Sequence, residues 1–112
     1  MKTIKLALRP KAFEKVLTGE KTQEVREIRP NNESKYIQLD GVYAVTNEAG
    51  NSLPVEYDAI EFVCGDKSVL VSVKEAYTEI MVDEHGVPLS YEYEGEPYYM
   101  ERIVYELGEI IQ

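Results

Sequence analysis

The chain has 112 residues, the length of one ordinary domain, and 44% of them are hydrophobic, enough for a single core, which excludes wholesale disorder. A single cysteine, Cys64, excludes an internal disulfide, and with a single histidine, His85, it leaves too few ligands for a cysteine- or histidine-based metal site. The net charge of −9 argues against long nucleic acid as a partner.

That charge is unevenly spread. Residues 1–35 carry nine Lys and Arg against five Glu, whereas residues 75–101 carry eight acids and no Lys or Arg. An anionic ligand therefore has a place to dock in the first third, while the acidic segment reads most simply as a solvated loop. No apolar run reaches the length of a membrane span. The opening Met-Lys-Thr-Ile-Lys-Leu-Ala-Leu-Arg-Pro is too short and interrupted for a signal peptide, so a cytoplasmic location is expected.

In chain order, residues 3–9 predict a strand, with Ile4, Leu6 and Leu8 alternating against Lys5, Ala7 and Arg9. Pro10 then opens a short helix, at the position where its missing N–H costs nothing. Phe13, Val16 and Leu17 form its apolar stripe, and Gly19 suits its left-handed cap. A charged strand follows: Glu24, Arg26 and Ile28 share one face, and Gln23, Val25, Glu27 and Arg29 the other. Residues 31–34 read as a loop or turn, and 36–39 as a helical turn or strand. Asp40-Gly41 is a turn, followed by a strand at 42–46 and a loop at 47–54 with Gly50 at its tip. Strands at 57–64 and 68–77 flank Gly65-Asp66-Lys67 as a hairpin. Residues 79–99, acidic and rich in tyrosine, predict an irregular excursion with a short strand. A strand at 102–105 and the segment 107–111 close the chain. The sum is an α+β domain on a small antiparallel or mixed barrel of about six strands, with one early helix.

The order Gly19-Glu20-Lys21-Thr22-Gln23-Glu24-Val25-Arg26, after one strand and one helix, resembles the G-x-K-T-x-E-x-R signature of the ASCH domains, which belong to the PUA-like superfamily. Glu24 to Pro30 is similar to a branch common in small bacterial and phage ASCH proteins. Tyr57 to Phe62, Ser68 to Glu75 and Tyr105 to Ile111 resemble further stretches of that branch, in order, so that the likeness spans nearly all of residues 1–112 as one domain. It implies a PUA-like barrel with a cleft beside the first helix, lined by Lys21, Glu24 and Arg26. It also implies a ligand that is RNA, DNA or a modified nucleoside, and no cofactor. In the deacetylating members of the family a threonine stands three residues after the lysine. Here that position is Glu24, so the hydroxyl nucleophile is missing and that activity is not carried over.

The residue chemistry suits a grip on a polar ligand. Lys21 is a point charge for a phosphate or carbonyl, and Arg26 can present a bidentate fork. Glu24 can orient Arg26 or accept from an exocyclic amine. Arg29 and Arg9 would widen a basic rim. The bland alternative is an edge strand whose Glu24 and Arg26 merely pair with each other. Tyr36, Tyr43 and Tyr57 read as core or half-buried sheet residues before they read as base-stacking platforms. Tyr91, Tyr93, Tyr98 and Tyr99 read as packing for a lid or edge, Cys64 as a small buried residue and His85 as a turn residue. Three functions follow: a module binding a nucleotide, modified nucleoside or short RNA; a small nucleoside or RNA hydrolase working through Lys21 and Glu24; and a protein-interaction module whose acidic 75–101 segment takes a basic protein.

Overall fold

A computed structural model describes all residues 1–112. Nine strands and two short helices follow in the order β1 (Thr3–Ala7), α1 (Pro10–Leu17), β2 (Gln23–Ile28), α2 (Glu33–Tyr36), β3 (Leu39–Asp40), β4 (Tyr43–Ala44), β5 (Ala59–Cys64), β6 (Lys67–Ile80), β7 (Ser90–Tyr93), β8 (Glu96–Tyr99) and β9 (Glu101–Ile110). The chain is thus of the α+β class and mostly strand. Five strands form one sheet in the order β1-β5-β6-β9-β2, and β3-β4 and β7-β8 form two small ones. The large sheet is mixed, because β1 runs parallel to β5 and β5 antiparallel to β6. No helix is long and apolar enough to cross a membrane.

The residues group into two compact units. The first comprises Met1–Glu24, Glu56–Ala76 and Tyr105–Gln112; the second comprises Val25–Val55 and Tyr77–Val104. In the first unit the strict alternation of β1 places Ile4 and Leu6 inward, and their partners Ile60 and Phe62 on β5 are fully buried. Val69 and Val71 of β6 face the same core, as do Phe13 and Val16 of α1. An eight-residue helix is too short to hold itself, so α1 depends on the burial of those two side chains. At roughly 25 cal/mol per Å² of apolar surface, each such side chain contributes about 1.5–3 kcal/mol.

In the second unit Ile28, Tyr36, Ile37, Ile103 and Val104 are buried, together with the polar Ser52 and Thr78. The loop 47–51 closes on the Asn47 carboxamide, whose Oδ1 accepts from the backbone N–H of Ala49 (2.9 Å) and of Asn51 (3.0 Å). Asp83 does the same for His85 and Val87, which puts His85 in an exposed turn as expected.

Several expectations need correction. About six strands were expected and nine are present, because three short or weakly patterned pieces escape the alternation test. Residues 42–46 do not make a full strand: Tyr43–Ala44 pairs with Leu39–Asp40, and Thr46 makes an isolated bridge to Ser52. Residues 31–34 were expected as a loop or turn and 36–39 as a helical turn or strand; the helical turn α2 instead spans Glu33–Tyr36, with Tyr36 buried. The irregular 79–99 excursion contains a regular hairpin, Ser90–Tyr93 against Glu96–Tyr99. Its two-residue loop has Glu94 at φ 50° and Gly95 at φ 82°, the double left-handed turn that matches strand twist. Leu17 is not in the core: the helix stops there, and its side chain stays 45% exposed. Cys64 is half-buried rather than buried.

Candidate functional site

The site expected from the sequence begins where α1 ends. Thr18 caps the helix, its N–H donating to the Glu14 carbonyl at 3.1 Å. Gly19, at φ 80°, turns the chain in a conformation that a side chain would resist. The N–H of Lys21 then donates back to the Lys15 carbonyl at 3.0 Å, which fixes the residue against the helix end. One step on, the Thr22 carbonyl accepts from the Leu107 N–H at 2.9 Å, so the approach to β2 is tied to β9.

Lys21 Nζ lies 3.3 Å from Glu24 Oε1. The Glu24 side chain is only 6% exposed and that of Lys21 22%. A carboxylate this buried is costly unless paired, so the lysine has a structural task as well as any chemical one. The strand pattern explains the placement: Glu24, Arg26 and Ile28 occupy the inward face of β2, and Gln23, Val25 and Glu27 the exposed one. The face that carries Glu24 and Arg26 is thus the inward one, and of the three residues expected to line a cleft only Lys21 lines the groove beside it.

Lys21 also lines a groove of about 420 Å³ within the first unit. The end of α1 and the turn after it (Leu17, Gly19, Thr22) form one side, and Val71 and Lys74 of β6 with Leu107 to Ile110 of β9 form the other. This accounts for the exposure of Leu17, which is a groove wall. Lys74 brings a second cation to the groove and Glu109 one anion. Within that β6–β9 side the two strands come close at Gly108, where a Cβ would lie 2.2 Å from Ser72 Oγ. Ser72 Oγ is held there by accepting the Glu109 N–H at 2.9 Å.

The other expected residues fall as follows. Arg26 is half-buried on the Glu24 face of β2. Arg29 belongs to the second unit, where its guanidinium pairs with Glu27 Oε1 at 2.7 Å and lies 4.2 Å over the Tyr91 ring. Burial raises the Tyr91 hydroxyl above its ordinary pKa of 10, against the opposing pull of Arg29. Arg9 is the exposed residue that precedes α1; its carbonyl accepts the first helical bond from Phe13 at 2.9 Å, and its side chain caps nothing.

No family model, characterised protein or solved structure matches the chain. The reading of the site accordingly rests on its own geometry.

Sequence reasoning missed a second constellation. In the second unit, a cavity of about 300 Å³ is lined by Glu33, Ser52 and Glu101 together with Tyr43, Tyr98 and Tyr99. The Ser52 hydroxyl donates to the Glu101 carboxylate, 3.0 Å from each oxygen. The Ser52 carbonyl in turn accepts from the buried Thr78 hydroxyl at 2.7 Å. Glu33 is pushed above the ordinary carboxyl value of 4.5, first by desolvation and then by the charge of Glu101. Ser52 and Glu101 are 49 positions apart, so no spacing signal in the sequence joins them.

Proposed function

We infer that the chain is an ASCH-like domain of the PUA-like barrel class, cytoplasmic and of bacterial or phage type. It binds a nucleotide, a modified nucleoside or a short RNA through Lys21, with Glu24 and Arg26 following on one strand face. The observation that carries this reading is the groove wall at Lys21. An ammonium group clamped by a nearly buried carboxylate lines a groove that also takes Lys74. Clamping removes side-chain freedom before a ligand arrives, which lowers the entropy lost on binding. Two lysines at one groove suit one or two phosphates, not a long polyanion, in keeping with the −9 charge.

The same pair argues for binding over hydrolysis. The Glu24 carboxylate is engaged by the ammonium 3.3 Å away and its side chain is only 6% exposed, so little of it is presented to a ligand. The test is titration of a panel of nucleotides, modified nucleosides and short RNAs against the wild type, Lys21→Ala and Arg26→Ala. At least a tenfold loss of affinity in both variants is expected for the best ligand. Unchanged binding in both variants would sink the reading. Turnover of any panel member that disappears in Glu24→Gln would replace it with the hydrolase.

A further inference from the structure

The cavity of the second unit has a different chemistry from the lysine groove. Its charged groups are Glu33 and Glu101, and neither is paired with a lysine or arginine. The basic residue next in sequence, Arg102, is engaged elsewhere, its Nη2 2.8 Å from Glu79 Oε2. Glu101 is nonetheless fixed in place by the hydroxyl of the buried Ser52, whose backbone carbonyl accepts from the Thr78 hydroxyl. Two carboxylates close enough to perturb one another are thus held at one cavity without a counter-cation.

Tyrosine completes the wall. Tyr43 and Tyr99 are largely exposed, at 77% and 60%, although large aromatic side chains are usually more deeply packed. The same hairpin already holds one cation on a ring face, with Arg29 over Tyr91. The unit as a whole has four Lys and Arg against eleven Asp and Glu, so it carries −7 of the total −9. Its field favours a cation and repels an anion. A volume of about 300 Å³ is at the lower end of small-molecule pockets.

We propose that this cavity binds a small organic cation: an alkylammonium head whose charge lies with Glu33 and Glu101 and whose methylene groups pack on the tyrosine rings. Carboxylates supply the Coulomb attraction, and the ring faces add cation–π attraction while covering the apolar part. The site uses none of the residues assigned to the nucleotide, so either reading can fail without the other.

The experiment is an amide-shift NMR titration of the full chain with n-butylammonium and tetramethylammonium, and with n-butanol as the uncharged control. The expected result is saturable shifts at Tyr43, Ser52, Tyr99 and Glu101 with both cations and none with butanol. Glu101→Gln keeps an oxygen to accept from Ser52, and Glu33→Gln removes a charge that folding disfavours, so both variants should fold. Each should weaken cation binding at least tenfold. Equal binding of butanol, unchanged affinity in both variants, or no saturable shift with either cation would overturn the proposal.

Discussion

Gly108 tests how tightly the lysine groove is built. Alanine there would place its Cβ 2.2 Å from Ser72 Oγ, where ordinary contact begins near 3.4 Å, so something must move by about 1.2 Å. The other neighbours, Ser72 Cβ and the Ser72 carbonyl, sit at 3.4 Å and can stay. Only the hydroxyl must leave, and leaving breaks its bond from the Glu109 N–H. A lost hydrogen bond costs about 1 kcal/mol and mild overpacking about 1 kcal/mol more, so Gly108→Ala should destabilise by about 1–2 kcal/mol. In a Ser72→Ala background the obstructing atom is absent. Gly108 does not need a left-handed backbone, so alanine there should then be neutral or slightly stabilising, since it restricts the unfolded chain. The double-mutant cycle should return a coupling of about 1–2 kcal/mol, read by urea unfolding of the four proteins with unchanged m-values. Additive effects would refute the close approach and with it the described shape of the groove wall.

Three further outcomes are expected. Glu94→Asn should stabilise by about 1 kcal/mol, raising Tm by about 4 °C, because Glu94 is the one non-glycine residue at positive φ and asparagine tolerates that turn position better; no change in a thermal scan would mean that the turn relaxes. Thr78→Val should cost about 1–3 kcal/mol in urea unfolding, since it strands the Ser52 carbonyl beside a site only 6% exposed; an unchanged midpoint would show that the network carries no stability. Because Glu33 is raised in the folded state, its contribution is intact below pH 4.5 and is lost as pH rises through the folded value. The Tm difference between Glu33→Gln and wild type should therefore shift in the variant's favour on going from pH 4 to pH 7, and a difference flat with pH would contradict the burial of that carboxyl.

The parts of the fold legible in the sequence are those whose side chains alternate without interruption. Ile4 and Leu6, Phe13 and Val16, and Val69 and Val71 each announce a buried face, and each is buried. β6 runs past the expected 68–77 to Ile80, because the polar pair Thr78 and Glu79 at its end reads as the start of the acidic excursion. The β7–β8 hairpin is obscured for a related reason. Pro97 looks like a breaker, yet a two-stranded sheet has only edges, and an edge strand can accommodate a residue with no N–H. Glu92, opposite Pro97, separates Tyr91 from Tyr93, so that the aromatic stripe reads as part of a charged loop.

Candidate sites divide along the same line. Lys21 and Glu24 are three residues apart, so their pairing is a local fact. The rest of the groove wall, Lys74 and Gly108, arrives from strands at least 50 positions away, and no local rule announces it. The charge pattern is affected most. In sequence, residues 1–35 are basic and 75–101 acidic, which suggests two opposed surfaces. In the structure Arg26, Arg29 and Lys35 belong to the second unit with most of the acids, and Arg29 is held there by Glu27 and Tyr91. The first unit keeps eight Lys and Arg against ten acids, a net −2, while the second holds −7. The acidic run is thus no detached loop: it supplies Glu101 and two tyrosines to a walled cavity, and the functional question it raises is one of cation recognition, separate from that raised by Lys21.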